Sequence, residues 1–206
     1  MLSNYEIRKK SREQLGNGIF NSRWLMALVV YLVYSVIISA LSSIGIGLIF
    51  AGCFMLGYIG VFMGIARGKE EIDVSGLFDG FKGEKFTKSL VLYIVETLYI
   101  LLWCLLLVIP GIVKSYSYAM SFYIMNDHPE YTATQCLDES RRIMNGHKLD
   151  LFCLHLSFIG WIIVGTLTCG IGMFWIEPYM QLSQANFYEE LKKEEAPRAE
   201  FQATQE

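Results

Sequence analysis

Three long stretches of the chain carry no Asp, Glu, Lys or Arg, and they restrict its fold more than any other feature. They cover residues 24–66, 97–113 and 151–176, which are 43, 17 and 26 residues long. A soluble fold of 206 residues has no interior large enough for such runs, whereas one helical crossing of a bilayer needs about 20 apolar residues. The sequence therefore predicts a polytopic membrane protein. It excludes a secreted disulfide scaffold, a disordered chain and an ordinary soluble enzyme.

Each apolar region is interrupted once by residues that break or turn a helix. The expected fold is an all-α bundle of about six transmembrane helices, arranged as three hairpins over about 24–66, 89–126 and 149–191. We expect one membrane domain, residues 1–191, followed by a flexible polar tail, residues 192–206. The predicted hairpin turns contain Gly45, Gly47, Pro110, Gly111, Gly170 and Gly172.

Two segments leave the number of crossings open. Residues 112–126 and 172–190 are short or polar for full spans, with several Ser, Tyr, Gln and Asn side chains. Each is either a span shielded by its neighbours or a partly interfacial helix. Four or five crossings are therefore the alternatives to six.

A basic, partly amphipathic stretch precedes each hairpin. The third is the clearest, because Thr132 and Gln135 fit a capping box and Asn145 with Gly146 supplies a helix stop. Its apolar face contains Ala133, Cys136, Leu137, Ser140 and Met144. These amphipathic helices are expected along the membrane surface or against the ends of the spans.

The distribution of Lys and Arg predicts the orientation, because these residues accumulate in short cytoplasmic loops. With six crossings and the N-terminus inside, 16 of the 17 basic residues fall on the inner side. Lys114 is the exception. We therefore expect a multi-pass protein of the bacterial cytoplasmic membrane with both termini in the cytoplasm.

Four ionisable residues fall within predicted spans, where a charge near the bilayer centre costs about 2.5–3.5 kcal/mol on insertion scales. Their depths suggest two pairs, Glu96 with His155 and Lys114 with Glu177. Such pairs would act as interhelical locks or, alternatively, as a proton or ion relay. Small residues also recur at helical spacing and predict close helix packing: Ser35, Ser39 and Ser43, and Gly60, Gly64 and Gly68.

No known catalytic motif is present in the sequence. Asp127, His128, His147 and Asp150 are candidates for an inner-face metal site, but their spacing matches no ligand motif, and solvated loop positions explain them better. The five cysteines show no paired spacing for zinc or a disulfide framework. We therefore predict no metal, no cofactor and no enzymatic activity.

Three segments resemble the bacterial integral membrane family catalogued as domain of unknown function 975: LLLVIPGIVKSYSYAM (105–120), SRRIMNGHKLDLFCLHLSFIGW (140–161) and GIGMFWIEPYMQLSQANFY (170–188). The resemblance covers nearly the whole chain and implies an all-helical fold in the cytoplasmic membrane, without catalytic residues. More distantly, the alternation of basic helices and hairpins resembles the membrane domain of some glycerophosphodiester phosphodiesterases. Their catalytic domain has no counterpart in this chain.

The resulting expectation is a non-catalytic accessory, scaffold or lipid-interacting membrane protein. Its expected partners are membrane lipids, with other membrane proteins or further copies of itself as additional candidates. A net charge of −3, with the basic residues committed to the inner face, argues against nucleic-acid binding. A small transporter or channel using Glu96, Lys114, His155 and Glu177 is the main alternative. A lipid-modifying membrane enzyme is a weaker one.

Overall fold

The computed structural model describes residues 2–16, 21–43, 47–69, 71–106, 108–168, 170 and 172–203, and the fold in this part of the chain is all-α. One 3-10 helix, Val74–Phe81, lies between α3 and α4. The α-helices in chain order are α1 (Asn4–Leu15), α2 (Ser22–Ser43), α3 (Gly47–Ala66), α4 (Glu84–Leu106), α5 (Val108–Tyr118), α6 (Ser121–Asp127), α7 (Ala133–Ile143), α8 (Lys148–Leu156), α9 (Ile159–Leu167) and α10 (Met173–Ala203).

Three helical segments are long and apolar enough to cross a membrane: Ser22–Ser43, Glu84–Leu105 and Lys148–Leu167. Fewer than a quarter of the residues in their most apolar windows are buried inside the protein. Leu101, Leu105 and Leu167, for example, are exposed apolar side chains. Because an apolar surface of this extent is unfavourable in water, these segments indicate a multi-pass membrane protein.

The residues predicted to form the second hairpin turn, Pro110 and Gly111, are helical. Pro110 and Gly111 lie in the first turn of α5, whereas α4 and α5 are separated by residue 107, which lies outside the described residues. The first turn of a helix tolerates proline because its amide groups have no intrahelical acceptor. A Cβ atom on Gly111 would lie 2.3 Å from Cys104 Sγ, so this glycine permits α5 to pack closely on α4.

Of the glycines in the first and third predicted turns, two lie between helices, one begins a helix and one lies outside the described residues. Gly170 has a left-handed φ of 83° and lies with Gly172 between α9 and α10. Gly47 is the first residue of α3, and Gly45 lies outside the described residues. The third apolar region is also interrupted at Ser157 and Phe158, which separate α8 from α9.

Helix α7 has the predicted capping box, in which Gln135 N donates to Thr132 Oγ1 at 3.4 Å and Thr132 N donates to Gln135 Oε1 at 2.8 Å. It ends before Gly146, whose φ is 94°. Its predicted apolar face is buried. Ser140 on that face donates to the carbonyl of Ser117 and accepts from the amide of Met120, at 2.9 and 3.2 Å. Helix α7 therefore supports the junction between α5 and α6.

Glycines bring α3 close to the 3-10 helix. A Cβ atom on Gly57 would lie 2.2 Å from the carbonyl oxygen of Leu77, and one on Gly80 would lie 2.1 Å from that of Cys53. The sequence analysis predicted close packing at neither position. Gly57 and Gly80 permit backbone-to-backbone packing that no larger residue allows without movement.

The residues of the predicted small-residue stripes have several different environments. Gly60 faces Asn126 of α6, and Gly64 faces the flexible side chain of Lys69. Gly68 has a φ of 88° just after α3 and has no heavy atom near its missing Cβ. Ser35 and Ser43 donate to carbonyls of their own helix at 2.9 Å, and Ser39 is exposed. The serine stripe therefore satisfies its hydroxyls mainly within α2.

The tail predicted to be flexible from residue 192 is instead helical as far as Ala203, since α10 is continuous over Met173–Ala203. Ion pairs explain why the first residues of the predicted tail continue α10. Lys192 pairs with Asp127 at 2.6 Å, and Glu195 pairs with Arg142 at 2.5 Å. These contacts attach the polar part of α10 to the ends of other helices.

We expect Gly57→Ala to destabilise the protein by about 2 kcal/mol, because the added methyl group forces the α3 and 3-10 helix backbones apart. For a domain of this size the melting temperature in detergent should fall by about 4–8 °C. Gly160→Ala is the matched control, since this helical glycine has no heavy atom within 4 Å of an added Cβ. Equal melting temperatures for the two variants would contradict the close packing.

Candidate functional site

Glu96 and His155 do not form the pair predicted from their depth. Glu96 on α4 faces α6, where Ser121 lies beside its carboxylate, and its Oε2 atom is buried with no hydrogen-bond partner in the part of the chain that the structure describes. His155 on α8 instead contacts α5, with Nδ1 3.2 Å from the hydroxyl of Tyr116. Gln184 of α10 also lies beside the imidazole.

Lys114 and Glu177 do not form the other predicted pair. The Lys114 ammonium lies 4.9 Å from the centroid of the Trp103 ring, within a cleft formed by α4, α5 and α7. Glu177 on α10 faces Tyr31 and Tyr58 of the first hairpin. Depth along a helix fixes the level of a side chain but not its direction. Here α5 packs on α4, whereas α10 packs on α2 and α3.

A network of charged side chains, which we call the Asp127 cluster, joins the ends of α3 and α6 to α10. Asp127 follows the second hairpin and accepts from Arg67 Nη2 at 2.5 Å and from Lys192 Nζ at 2.6 Å. Arg67, just beyond α3, also donates to Glu189 at 2.8 Å. The Tyr188 hydroxyl completes the cluster by donating to Asp127 at 3.1 Å.

The cluster keeps Asp127 ionised although little of its side chain is accessible. Burial by itself would raise the pKa of Asp127, but the hydrogen bonds and charges of Lys192 and Arg67 more than offset it. The net result is a pKa below the ordinary aspartate value. The side chain is 7% exposed, so its two cationic partners compensate most of the cost of removing the carboxylate from water.

The inner-face residues considered as metal ligands are divided among separate contacts. Asp127 belongs to the Asp127 cluster, and His128 Nδ1 lies 3.0 Å from Glu130. His147 Nδ1 lies 3.2 Å from Asp150, and its Nε2 lies 3.8 Å from Glu194. In the described part of the chain, no group of three or more His, Cys, Asp or Glu side chains has the geometry to hold a metal ion.

A cavity of about 470 Å³, which we call the aromatic cavity, lies between α1, α2, α9 and α10. Its volume is within the range of about 300–1,000 Å³ that is typical of small-molecule sites. The lining is mainly apolar and has one cationic residue. It includes Arg12, Trp24, Trp161, Val164, Gly165, Thr168, Gly172, Trp175, Ile176 and Tyr179.

Ring contacts and one hydrogen bond hold the walls of the aromatic cavity. The ring of Tyr179 lies 5.9 Å from that of Trp24 and 5.0 Å from that of Phe158, measured between centroids. Its hydroxyl donates to the Arg8 carbonyl at 3.0 Å. A Cβ atom on Gly172 would lie 2.8 Å from Gly165 Cα, so these glycines bring α9 and the start of α10 together.

Sequence reasoning missed the aromatic cavity, because its residues are distributed from the first helix to the last. Three of the four tryptophans in the chain line it. Tryptophans near the ends of apolar spans are a usual feature of membrane interfaces, so their positions gave no sign of a shared site. The available signal was that three of the four tryptophans, Trp24, Trp161 and Trp175, belong to the first and third predicted hairpins.

Comparison with known proteins gives one match. A family model described as "Protein of unknown function (DUF975)" matches residues 1–114 and 104–195 of the chain. No curated protein and no solved structure matches it. The match thus agrees with the family resemblance found in the sequence and assigns no activity.

We expect Asp127→Asn to destabilise the protein by about 2 kcal/mol, because two cationic partners lose their shared carboxylate. The melting temperature in a non-ionic detergent at neutral pH should fall by about 4–8 °C. Asp79→Asn is the control, because Asp79 forms an exposed i,i+3 pair with Lys82 and should change stability by less than about 0.5 kcal/mol. A smaller loss for Asp127→Asn than for Asp79→Asn would contradict a central role of the cluster.

The stabilisation by Asp127 should also depend on pH. Because its pKa is lowered in the folded protein, the stabilisation is complete above the ordinary aspartate pKa of about 3.9 and is lost as the pH falls through the lower folded value. The difference in melting temperature between the wild type and Asp127→Asn should therefore be constant from pH 7 to 5 and shrink below about pH 4. A difference that grows on acidification would reverse the assigned sign.

Proposed function

Because this chain belongs to the protein family of unknown function DUF975, whose description names no activity, we propose its function from its own residues. The protein is a non-catalytic accessory or scaffold component of the bacterial cytoplasmic membrane that binds membrane lipids. The aromatic cavity is the observation that carries this proposal, since it joins an apolar interior to a cationic residue on α1. Other membrane proteins or further copies of the chain are secondary partners of the exposed apolar helices.

The proposed topology has six crossings in three hairpins, with both termini in the cytoplasm. The Asp127 cluster supports it, because residues just beyond the first and second hairpins meet residues near the end of the third. Contacts between the first and last helices also support it. Lys10 lies 3.4 Å from Glu190, and Asn186 donates to Ser11 at 3.0 Å. One end of the bundle therefore collects the charged groups that the positive-inside rule assigns to the cytoplasm.

A non-catalytic role is supported by the way the polar side chains are used. The inner-face carboxylates and histidines pair with neighbours instead of converging at one point, which weakens the case for a lipid-modifying enzyme. The distant resemblance to the membrane domain of some glycerophosphodiester phosphodiesterases adds an architectural parallel only. It agrees with a membrane module that performs no chemistry by itself.

A small proton or ion transporter is the second candidate function. The buried, unpartnered Oε2 atom of Glu96 favours it, because such a group in a membrane protein often belongs to a conduction path. The surroundings of the other three ionisable residues favour the scaffold instead. Lys114, His155 and Glu177 each lie against a different aromatic partner, and the cleft that contains Lys114 is lined by none of the others.

The topology is tested by single cysteines placed in a cysteine-free variant and labelled in intact cells. Lys82→Cys and Arg141→Cys should react with a membrane-impermeant maleimide only after the cells are opened. Thr168→Cys, in the proposed outer turn, should react in intact cells and is the positive control. Labelling that places residues 82 and 141 on opposite sides of the membrane would overturn the proposed topology.

The choice between scaffold and transporter is tested by reconstitution into liposomes that contain a pH-sensitive dye. We expect no proton flux above that of protein-free liposomes, for the wild type and for Glu96→Gln alike. Leu98→Ile, at an exposed position of the same helix, is the conservative control. Wild-type flux that disappears in Glu96→Gln but persists in Leu98→Ile would replace the scaffold with the transporter.

A further inference from the structure

The aromatic cavity has the chemical layout of an amphipathic ligand site. Apolar side chains of α9 and α10, including Val164 and Ile176, form its interior. Arg12 of α1 contributes the cationic group, with its guanidinium carbon 6.0 Å from the centroid of the Tyr179 ring. A ligand that matches this surface has an apolar chain and an anionic group close to one of its ends.

One polar atom in the wall lacks a partner. Trp24 is 6% exposed and lines the cavity, and its indole Nε1 atom is buried without a hydrogen-bond acceptor among the described residues. A buried N–H group without an acceptor costs about 1–3 kcal/mol, so native proteins rarely retain one without a reason. This covered atom does not by itself specify a ligand group, so the polar end of the ligand is defined by the charge of Arg12.

The wall formed by α9 is open towards the outside of the protein. Trp161 and Val164 are about half exposed, and both lie within the candidate membrane span Lys148–Leu167. A ligand entering between these side chains would come from the hydrocarbon layer and not from water. This route favours a membrane lipid over a soluble phosphate compound.

Helix α1 is held firmly enough to present the cationic group. Arg8 Nη1 donates at 3.1 Å to the carbonyl of Ser157, which lies between α8 and α9. The Arg8 guanidinium carbon is also 5.8 Å from the centroid of the Phe158 ring. Because Arg8 is committed to these contacts, Arg12, one turn further along α1, is the residue available for a ligand anion.

We propose that the aromatic cavity binds one glycerophospholipid, with an acyl chain along the apolar side chains of α9 and α10 and the phosphate on Arg12. This inference rests on the proposed lipid-binding function and names its site and ligand class. It requires no reaction, since the lipid is held and not transformed. Charge complementarity at Arg12 and the opening through α9 select the phospholipid as the occupant.

Tryptophan fluorescence of the purified full-length protein tests the proposal directly. In the Trp103→Phe background every remaining tryptophan lines the cavity. Phosphatidylglycerol with brominated acyl chains, titrated into delipidated protein in detergent, should quench this fluorescence saturably. A brominated fatty-acid methyl ester, which has the chain but no phosphate, is the reference ligand. Inorganic phosphate at millimolar concentration should not displace the phospholipid, which separates a lipid head group from free phosphate.

Arg12→Gln should weaken binding of the brominated phospholipid about tenfold, the loss expected for one charge-assisted hydrogen bond, and leave binding of the methyl ester unchanged. Arg141→Gln is the matched control, because Arg141 lies on α7 and pairs with Asp138 away from the cavity. Val164→Phe, which narrows the cavity, should weaken binding of both ligands. Unchanged melting temperatures would show that the variants remain folded.

Equal quenching of wild type, Arg12→Gln and Val164→Phe by the phospholipid would overturn the proposed site. Native mass spectrometry of the protein extracted from membranes then distinguishes failure of the proposed site from failure of the proposed lipid-binding function. Retained phospholipid despite equal quenching leaves the lipid-binding function standing and removes this site. Absence of retained lipid, together with Glu96-dependent proton flux, removes the proposed function itself.

Discussion

The shared carboxylate of Asp127 connects residues from distant parts of the chain, since it pairs with both Arg67 and Lys192. Helices in a bilayer gain little from hydrophobic exclusion, because lipid tails are as apolar as their side chains. Specific polar contacts at the helix ends therefore matter more here than in a soluble bundle. Arg67 and Lys192 both reach Asp127, and Tyr188 adds a hydrogen bond from α10. Residues far apart in the chain are thereby held together at one end of the molecule.

Close backbone packing sets the distance between neighbouring helices. Gly57 and Gly80 let α3 and the 3-10 helix approach more closely than any side chain permits, and Gly111 does the same for α5 on α4. Van der Waals contact between backbones is favourable in a membrane because small residues lose little side-chain entropy when they pack. The Asp127 cluster therefore fixes the ends of the helices, while the glycines fix their separation.

The aromatic cavity arises from the way α1 packs against α8 and α10. Helix α1 packs on α10 and α8, and the interruption at Ser157 and Phe158 exposes a carboxyl-terminal carbonyl of α8 to Arg8. That contact brings α1 beside the start of α9, where Arg12 and Tyr179 meet. A cationic amphipathic helix thus borders an apolar site, an arrangement suited to a lipid whose head and tail differ in polarity.

Much of the secondary structure followed from the sequence alone, because uncharged length, capping residues and glycines act locally. The capping box of α7 and its buried face are confirmed, as are the all-helical class and long apolar helices able to cross a membrane. The helical conformation of Pro110 and Gly111 and the helical continuation beyond residue 192 were not predictable. Proline is compatible with both a turn and a first helical turn, and the ion pairs of α10 involve residues from distant segments.

Position along the chain was also enough to place Glu96 within an apolar segment, since it lies in the candidate span Glu84–Leu105. Only tertiary packing decided that Glu96 faces Ser121 and Lys114 faces Trp103, and only it assembled Arg12, Trp24 and Tyr179 around one cavity. The physical reason is that helical periodicity defines the faces of a helix, whereas the neighbour that covers each face depends on contacts between residues far apart in the chain.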